Sequence, residues 1–190
     1  GSAKFKWGND SLESKKILVQ GTGNVGENLI KLLEKEGADI LVHDVNKNKL
    51  HEITEQYNVS IIEDNIYSQN IDIYAPCALG ATLNDNTIPL LNCSIIAGAA
   101  NNQLEQEDKH DKMLIDKNIL YAPDFLINAG GLINVYSELK GFGTDKVMDK
   151  TGNIFDTTIS ILEKSKSENI SSQQAALKIA KEKVYLKSIS

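Results

Sequence analysis

Six residues near the N-terminus, Gly21-Thr22-Gly23-Asn24-Val25-Gly26, fit the pattern G-x-G-x-x-G, and Asp44 follows eighteen residues after the last glycine. Taken alone the glycine pattern is weak, because glycine-rich turns are common. Its surroundings make it specific. A short apolar run, "ILVQ", leads into it, a helical pattern leaves it, and the acid stands at the end of the next apolar run. That arrangement suits a dinucleotide. Gly21 permits a tight turn, Gly23 lets a pyrophosphate approach the backbone, and Gly26 lets the helix lie close to the sheet. The helix N-terminus then presents N–H groups and partial positive charge to the phosphates. A carboxylate at Asp44 would accept a hydrogen bond from a ribose 2′-hydroxyl and repel a 2′-phosphate, which favours NAD over NADP. Lys47 and Lys49 could soften that repulsion, although a solvated helix face accounts for both.

Three later segments share a different theme: "APCALG" (75–80), "AGAANNQL" (97–104) and "APDFLINAGG" (122–131). In each, a strand runs out into small residues and amides. Ligands of open parallel sheets lie beyond the carboxyl ends of the strands. Small residues there let backbone groups reach a flat ring, and Asn101, Asn102 and Asn128 each offer a carboxamide both donors and an acceptor. Loop capping is the plain reading for any one of these amides, and fits all three segments together poorly. Cys77 reads as a small packing residue, since no histidine is placed to activate it. His43, His51 and His110 show no metal-ligand spacing.

The elements that must position these groups alternate. Strands are expected at 17–20, 39–44, 59–62, 71–76, 93–98 and 119–123. The first helix should bury Val25, Leu29, Leu32 and Leu33 on one face and end at Gly37. The second should be capped by Asn46 and carry Leu50, Ile53 and Tyr57. A further helix is expected over 105–117, followed by helices only: 132–140, 145–167 and 172–187, the last capped by Ser171. Short β-branched runs alternating with helices predict an α/β fold, Rossmann-type and doubly wound, with a mainly parallel sheet and a C-terminal helical tail. Residues 1–9 are read as a cloning remnant (Gly1-Ser2) and lead-in, 10–143 as the NAD-binding domain, and 144–190 as a tail packing on it. Apolar positions in the last helix, Ala176, Ile179, Ala180, Val184 and Leu186, could instead meet another domain.

The 190 residues allow one domain with a real core. A net charge of −6 argues against a nucleic-acid partner, and no apolar run approaches membrane-spanning length. Two cysteines without metal spacing suggest a reducing cytoplasm.

"VQGTGNVGENL", "YAPCALGATLND", "IAGAANNQL" and "YAPDFLINAGGLINV", in that order, resemble the C-terminal dinucleotide-binding domain of the glutamate/leucine/phenylalanine/valine dehydrogenase family, on its leucine-type side. The likeness runs from about Asp10 to Lys187. It implies reversible NAD-dependent oxidative deamination of a branched-chain aliphatic L-amino acid to its 2-oxo acid and ammonia. Carried over by position, Gly21, Thr22, Gly23, Asn24, Val25, Gly26 and Glu27 would hold the pyrophosphate and Asp44 the adenosine ribose. Cys77 and Ala78 would line the ribose and nicotinamide region, and Ala99, Ala100 and Asn101 would border the nicotinamide. Asn128 would hold its carboxamide, while Leu132 and Val135 would form a wall of the substrate pocket. The resemblance also implies an N-terminal catalytic domain supplying a glycine-flanked lysine and an aspartate. No lysine here follows a Gly-Gly run, so no catalytic residue is expected on this chain and the catalytic partner domain is read as missing. The full-length protein is expected to be a homo-oligomer. A free-standing NAD-binding regulatory module and another two-domain dehydrogenase are the competing readings; the latter explains "PDFLINAGG" poorly.

Overall fold

The computed structural model describes residues 1–78 and 80–188, with side chains through Tyr185; Leu79 of "APCALG" and the side chain of Leu186 lie outside the described residues. Six strands form one sheet: β1 (Lys16–Gln20), β2 (Asp39–His43), β3 (Val59–Ile61), β4 (Ile73–Pro76), β5 (Ile95–Ile96) and β6 (Leu120–Tyr121). Their spatial order is 3-2-1-4-5-6 and every pairing is parallel. Register follows the apolar pattern, with Leu18 opposite Leu41 on one side and Tyr74 on the other. Ile17, Val19, Ile40, Val42, Ile73 and Ile95 face one core layer, whereas Leu18, Leu41, Tyr74, Ile96 and Tyr121 face the other. Both faces are therefore buried, which is why these strands read as continuous apolar runs.

The helices divide between the faces. Ile30 and Leu33 of α2 (Asn24–Lys35) and Leu50 and Ile53 of α3 (Lys47–Gln56) join the first layer; Leu114 of α4 (Glu107–Asp116) joins the second. Chain direction across the sheet reverses between β1 and β4, and a crevice opens there beyond the strand ends. The expected caps are present. Asn46 accepts from the N–H groups of Asn48 and Lys49, and Gly37 ends α2 in the left-handed region at φ 72°.

Three expectations change. Val25 and Leu32 are more than half exposed, and the buried face of α2 is Gly26, Ile30 and Leu33. The physical reason is the contact of Gly26 with Gly21, which turns Gly26 to the sheet and carries positions four and seven residues on with it. Residues 2–7, read as lead-in, form a short helix, α1 (Ser2–Trp7), with Ala3 buried and Lys15 Nζ 4.2 Å from the Trp7 ring centre. The last strand, expected over 119–123, is only β6 (Leu120–Tyr121), and Asp124–Ile127 makes a one-turn helix, α5.

Helices alone follow: α6 (Gly130–Leu139), and then, over the residues read as the tail, α7 (Thr144–Glu168) and α8 (Ser172–Ser188). Ser171 caps α8 as expected, accepting from the Gln174 N–H at 3.1 Å. Ile161 of α7 packs with Ala175 and Ala176 of α8, and Ser172 Oγ donates to the Tyr121 carbonyl at 2.6 Å. The first turns of α8 are thereby fastened to the sheet edge, whereas Val184 is 69% exposed.

Candidate functional site

The glycine turn separates into two closed positions and one open one. A Cβ on Gly26 would stand 1.9 Å from the Gly21 carbonyl oxygen, and one on Gly21, at φ 99°, would stand 2.6 Å from Ala78 N. Gly23 has ordinary backbone angles, and nothing lies within 4 Å of where its Cβ would be. Gly23 is the N-cap of α2, and no side chain caps that end, in contrast to α3 and α8. The first N–H groups of α2 are thus free to meet an anion, in a place where the backbone is open.

Asp44 follows β2 and turns back to this loop. Its Oδ2 accepts from Thr22 N at 2.6 Å and from Thr22 Oγ1 at 3.0 Å, and its Oδ1 accepts from Asn46 N at 2.9 Å. Burial pushes its carboxyl up, but the Thr22 and Asn46 N–H groups, the Thr22 hydroxyl and nearby His43 outweigh that and hold it below the usual carboxylate range. The group is an anion in place at neutral pH. Oδ2 is filled by its two Thr22 bonds, while Oδ1, accepting once, keeps acceptor capacity for a further donor.

A cleft of about 770 Å³ lies over the β1–β4 crevice, lined by Gly21, Gly23, Asp44, Cys77, Ala78, Ala99, Ala100 and Asn101, with Gly80, Ala81 and Asn102 completing its wall. Burial pushes the Cys77 thiol up, partly offset by the Ala99 N–H, which fits a packing role. Through Asn101 and Asn102 this cleft shares lining with a second cavity of about 420 Å³, bounded by Asn128, Phe125, Gly131 and Leu132. Asn128 Nδ2 donates to Asn101 Oδ1 at 2.5 Å. One amide therefore still offers its oxygen, and the other its nitrogen, where the two cavities meet.

Several expected residues lie elsewhere. Thr22 is fully buried and spends its groups on Asp44. Asn24, Val25 and Glu27 are not among the residues lining the cleft, and the Glu27 carboxylate binds Lys49 Nζ at 2.8 Å. Lys49 thus neutralises an acid beside the α2 N-terminus; it is not a free cation. Val135 is exposed on α6 and does not line the second cavity, whereas Leu132, 74% exposed, does. Asn134 donates to Glu138 one turn on, a local helix bond. Asp124 ties loops, accepting from Gln103 N at 3.0 Å and Phe125 N at 2.6 Å. Sequence reasoning passed over Gln103, which is fully buried and donates from Nε2 to the carbonyls of Gly98 (2.6 Å) and Ala100 (3.0 Å). Its position inside "AGAANNQL" was the available signal.

Strand order, glycine turn and cleft together define a Rossmann-type α/β domain. A sequence model of the family described as Glutamate/Leucine/Phenylalanine/Valine dehydrogenase matches residues 38–188. L-tryptophan dehydrogenase of Nostoc punctiforme is 45% identical over 184 residues, 96% of this chain and 52% of that protein. Leucine dehydrogenase of Bacillus cereus is 46% identical over 184 residues, 96% of this chain and 50% of that protein. The crystal structure of L-tryptophan dehydrogenase from Nostoc punctiforme superposes with a TM-score of 0.96 at 43% identity, covering all of this chain and 56% of that one. The chain belongs to the glutamate/leucine/phenylalanine/valine dehydrogenase family, and it spans about half the length of the curated relatives it matches.

Proposed function

We propose that this chain is the cofactor-binding half of an NAD-dependent amino-acid dehydrogenase of the leucine type, which reversibly deaminates a branched-chain aliphatic L-amino acid to its 2-oxo acid and ammonia. One observation carries the reading: the α2 N-terminus is uncapped and open at Gly23 while Gly21 and Gly26 are sterically closed, and Asp44 stands in the same cleft. The turn at 21–26 would take the pyrophosphate on backbone N–H groups, with Glu27 neutralised by Lys49 so that it does not oppose the phosphates. Asp44 would accept from the adenosine ribose. Cys77, Ala78, Ala99 and Ala100 would flank the ribose and nicotinamide, with Asn101 and Asn128 on its carboxamide. When bound, NAD supplies the hydride acceptor; the residues of this chain bind and orient it.

Leu132 and Val135 support an aliphatic substrate wall. Nearly equal identity to a tryptophan dehydrogenase and a leucine dehydrogenase supports a second reading, in which the side chain accepted is aromatic. The lysine and aspartate of the resemblance would belong to a catalytic domain outside these residues. We place the full protein in the cytoplasm as a homo-oligomer. Free Cys77 and Cys93 fit a reducing compartment, and exposed Leu177 and Val184 are surface of the kind an interface covers. Among the described residues, no helix is long and apolar enough to cross a membrane.

Calorimetric titration tests the reading. NAD should bind this chain and NADP more weakly, with no turnover of leucine or tryptophan. Absence of NAD binding overturns the site, and equal affinity for NADP overturns the role of Asp44. Comparing NADH formation by the full-length enzyme from leucine and from tryptophan separates the two substrate readings.

A further inference from the structure

We infer that Gln103 is a positioning residue that sets the nicotinamide end of the cleft, an inference that rests on the cofactor reading above. The three strand-end segments lie far apart in sequence, and Gln103 bonds to the chain at or just beyond all three. Its side-chain Nε2 donates to the carbonyls of Gly98 and Ala100 in the loop after β5. Its backbone N–H donates to Asp124 Oδ2 in the segment after β6. Its carbonyl accepts from Leu83 N at 3.0 Å, just past the segment after β4. The side chain is fully buried, so the loop 98–100 wraps around an amide rather than around solvent.

The chemistry of the amide fixes its orientation. Only the nitrogen can meet two carbonyl oxygens; the reversed amide would set oxygen against oxygen. A side chain that offers two N–H groups from one atom is needed, and a glutamate or a methionine of similar length supplies neither. The loop it holds carries Ala99, whose N–H meets Cys77, and runs directly into Asn101. Asp124 opens α5, which ends at Asn128. Gln103 therefore stands behind both members of the Asn101–Asn128 pair without lining either cavity. None of its bonds reaches the turn at 21–26 or Asp44, so the adenosine end does not depend on it.

That separation gives the test. NAD and ADP-ribose are titrated calorimetrically into this chain and into Gln103→Met, with folding followed by circular dichroism. ADP-ribose shares the adenosine and pyrophosphate groups and lacks the nicotinamide. Wild type should bind both. Gln103→Met should weaken NAD by about tenfold or more, equivalent to about 1.4 kcal/mol, and leave ADP-ribose within about twofold. A purely structural role would lower thermal stability and leave both affinities of the folded protein alone. NAD affinity unchanged, or an equal loss for both ligands, overturns the inference. Failure of wild type to bind either ligand overturns the cofactor reading instead. If Gln103→Met does not fold, Gln103→Asn, which keeps the amide but is one methylene short of the two carbonyls, takes its place; the same split is expected, and its absence overturns the inference.

Discussion

Replacing Gly23 and Gly26 separately by alanine should give opposite phenotypes, although the two glycines lie three residues apart in one motif. At Gly26 the new methyl carbon would be 1.9 Å from the Gly21 carbonyl oxygen, about 1 Å or more inside any tolerable approach. Both groups are backbone, so the helix must lift from the sheet; such overpacking costs about 1–3 kcal/mol or more. In a chain of this size each kcal/mol lowers Tm by about 2–4 °C. At Gly23 the backbone angles suit alanine and nothing is within 4 Å. Losing a glycine N-cap costs up to about 1 kcal/mol, and the stiffer unfolded chain returns about 0.4–1 kcal/mol, so Tm should hardly move. Ligand binding should reverse the order of severity. A methyl on Gly23 projects into the space through which phosphates reach the α2 N–H groups. Losing one or two charge-assisted bonds of about 1.5–3 kcal/mol each weakens binding by about tenfold to a hundredfold or more. Differential scanning calorimetry and NAD titration of the two variants measure both effects. A Gly23→Ala protein that keeps both wild-type Tm and wild-type NAD affinity would refute the placement of the pyrophosphate on this turn.

Two further outcomes can be measured on the same material. The Asp44 carboxyl is held below its ordinary range in the folded protein, so its contribution to stability is present above the unfolded pKa and is lost as pH falls through the folded value. Asp44→Asn should therefore show a shallower loss of stability below about pH 4 than wild type, read by urea titration at a series of pH values; parallel acid limbs would refute it. Ser171→Ala removes the acceptor for the Gln174 N–H at the start of α8 and the Ser171 bond to the Asp111 carboxylate, and should cost at least about 1 kcal/mol, or about 2–4 °C or more in Tm, with NAD affinity unchanged. A change in affinity would show that the tail is coupled to the cleft.

Legibility in the sequence followed the range of the forces involved. β1, β2 and β4 stand where their β-branched runs lie, because strands buried on both faces tolerate little else. Asn46 and Ser171 act within three residues of themselves, and both were readable as caps. The rotation of α2 was not readable from its apolar residues, because the Gly26–Gly21 contact decides it and leaves Val25 and Leu32 outside. Glu27 has the right sequence spacing to face a phosphate, yet Lys49 arrives from the next βα unit and engages it. α5 carried a signal, Pro123 followed by Asp124, that was masked by the neighbouring strand pattern. Gln103 carried none beyond its segment: a glutamine destined for solvent and one enclosed by carbonyls are spelled alike. The grouping of amides at strand ends was visible, and which amide faces inward was not.

The unequal strand lengths have a consequence for how the molecule breathes. β1 and β2 pair over five residues at the centre of the sheet, whereas β5 and β6 contribute two residues each at one side. Amide exchange free energies scale with how much structure must open together. The amides of the β1–α2–β2 unit, which carries Gly21 and Asp44, should therefore exchange more slowly than those of the loops after β5 and β6, an order that hydrogen–deuterium exchange measures. A dinucleotide spanning both would rest at one end on the longest strand pairing of the sheet and at the other on loops whose shape depends on side-chain bonds such as those of Gln103.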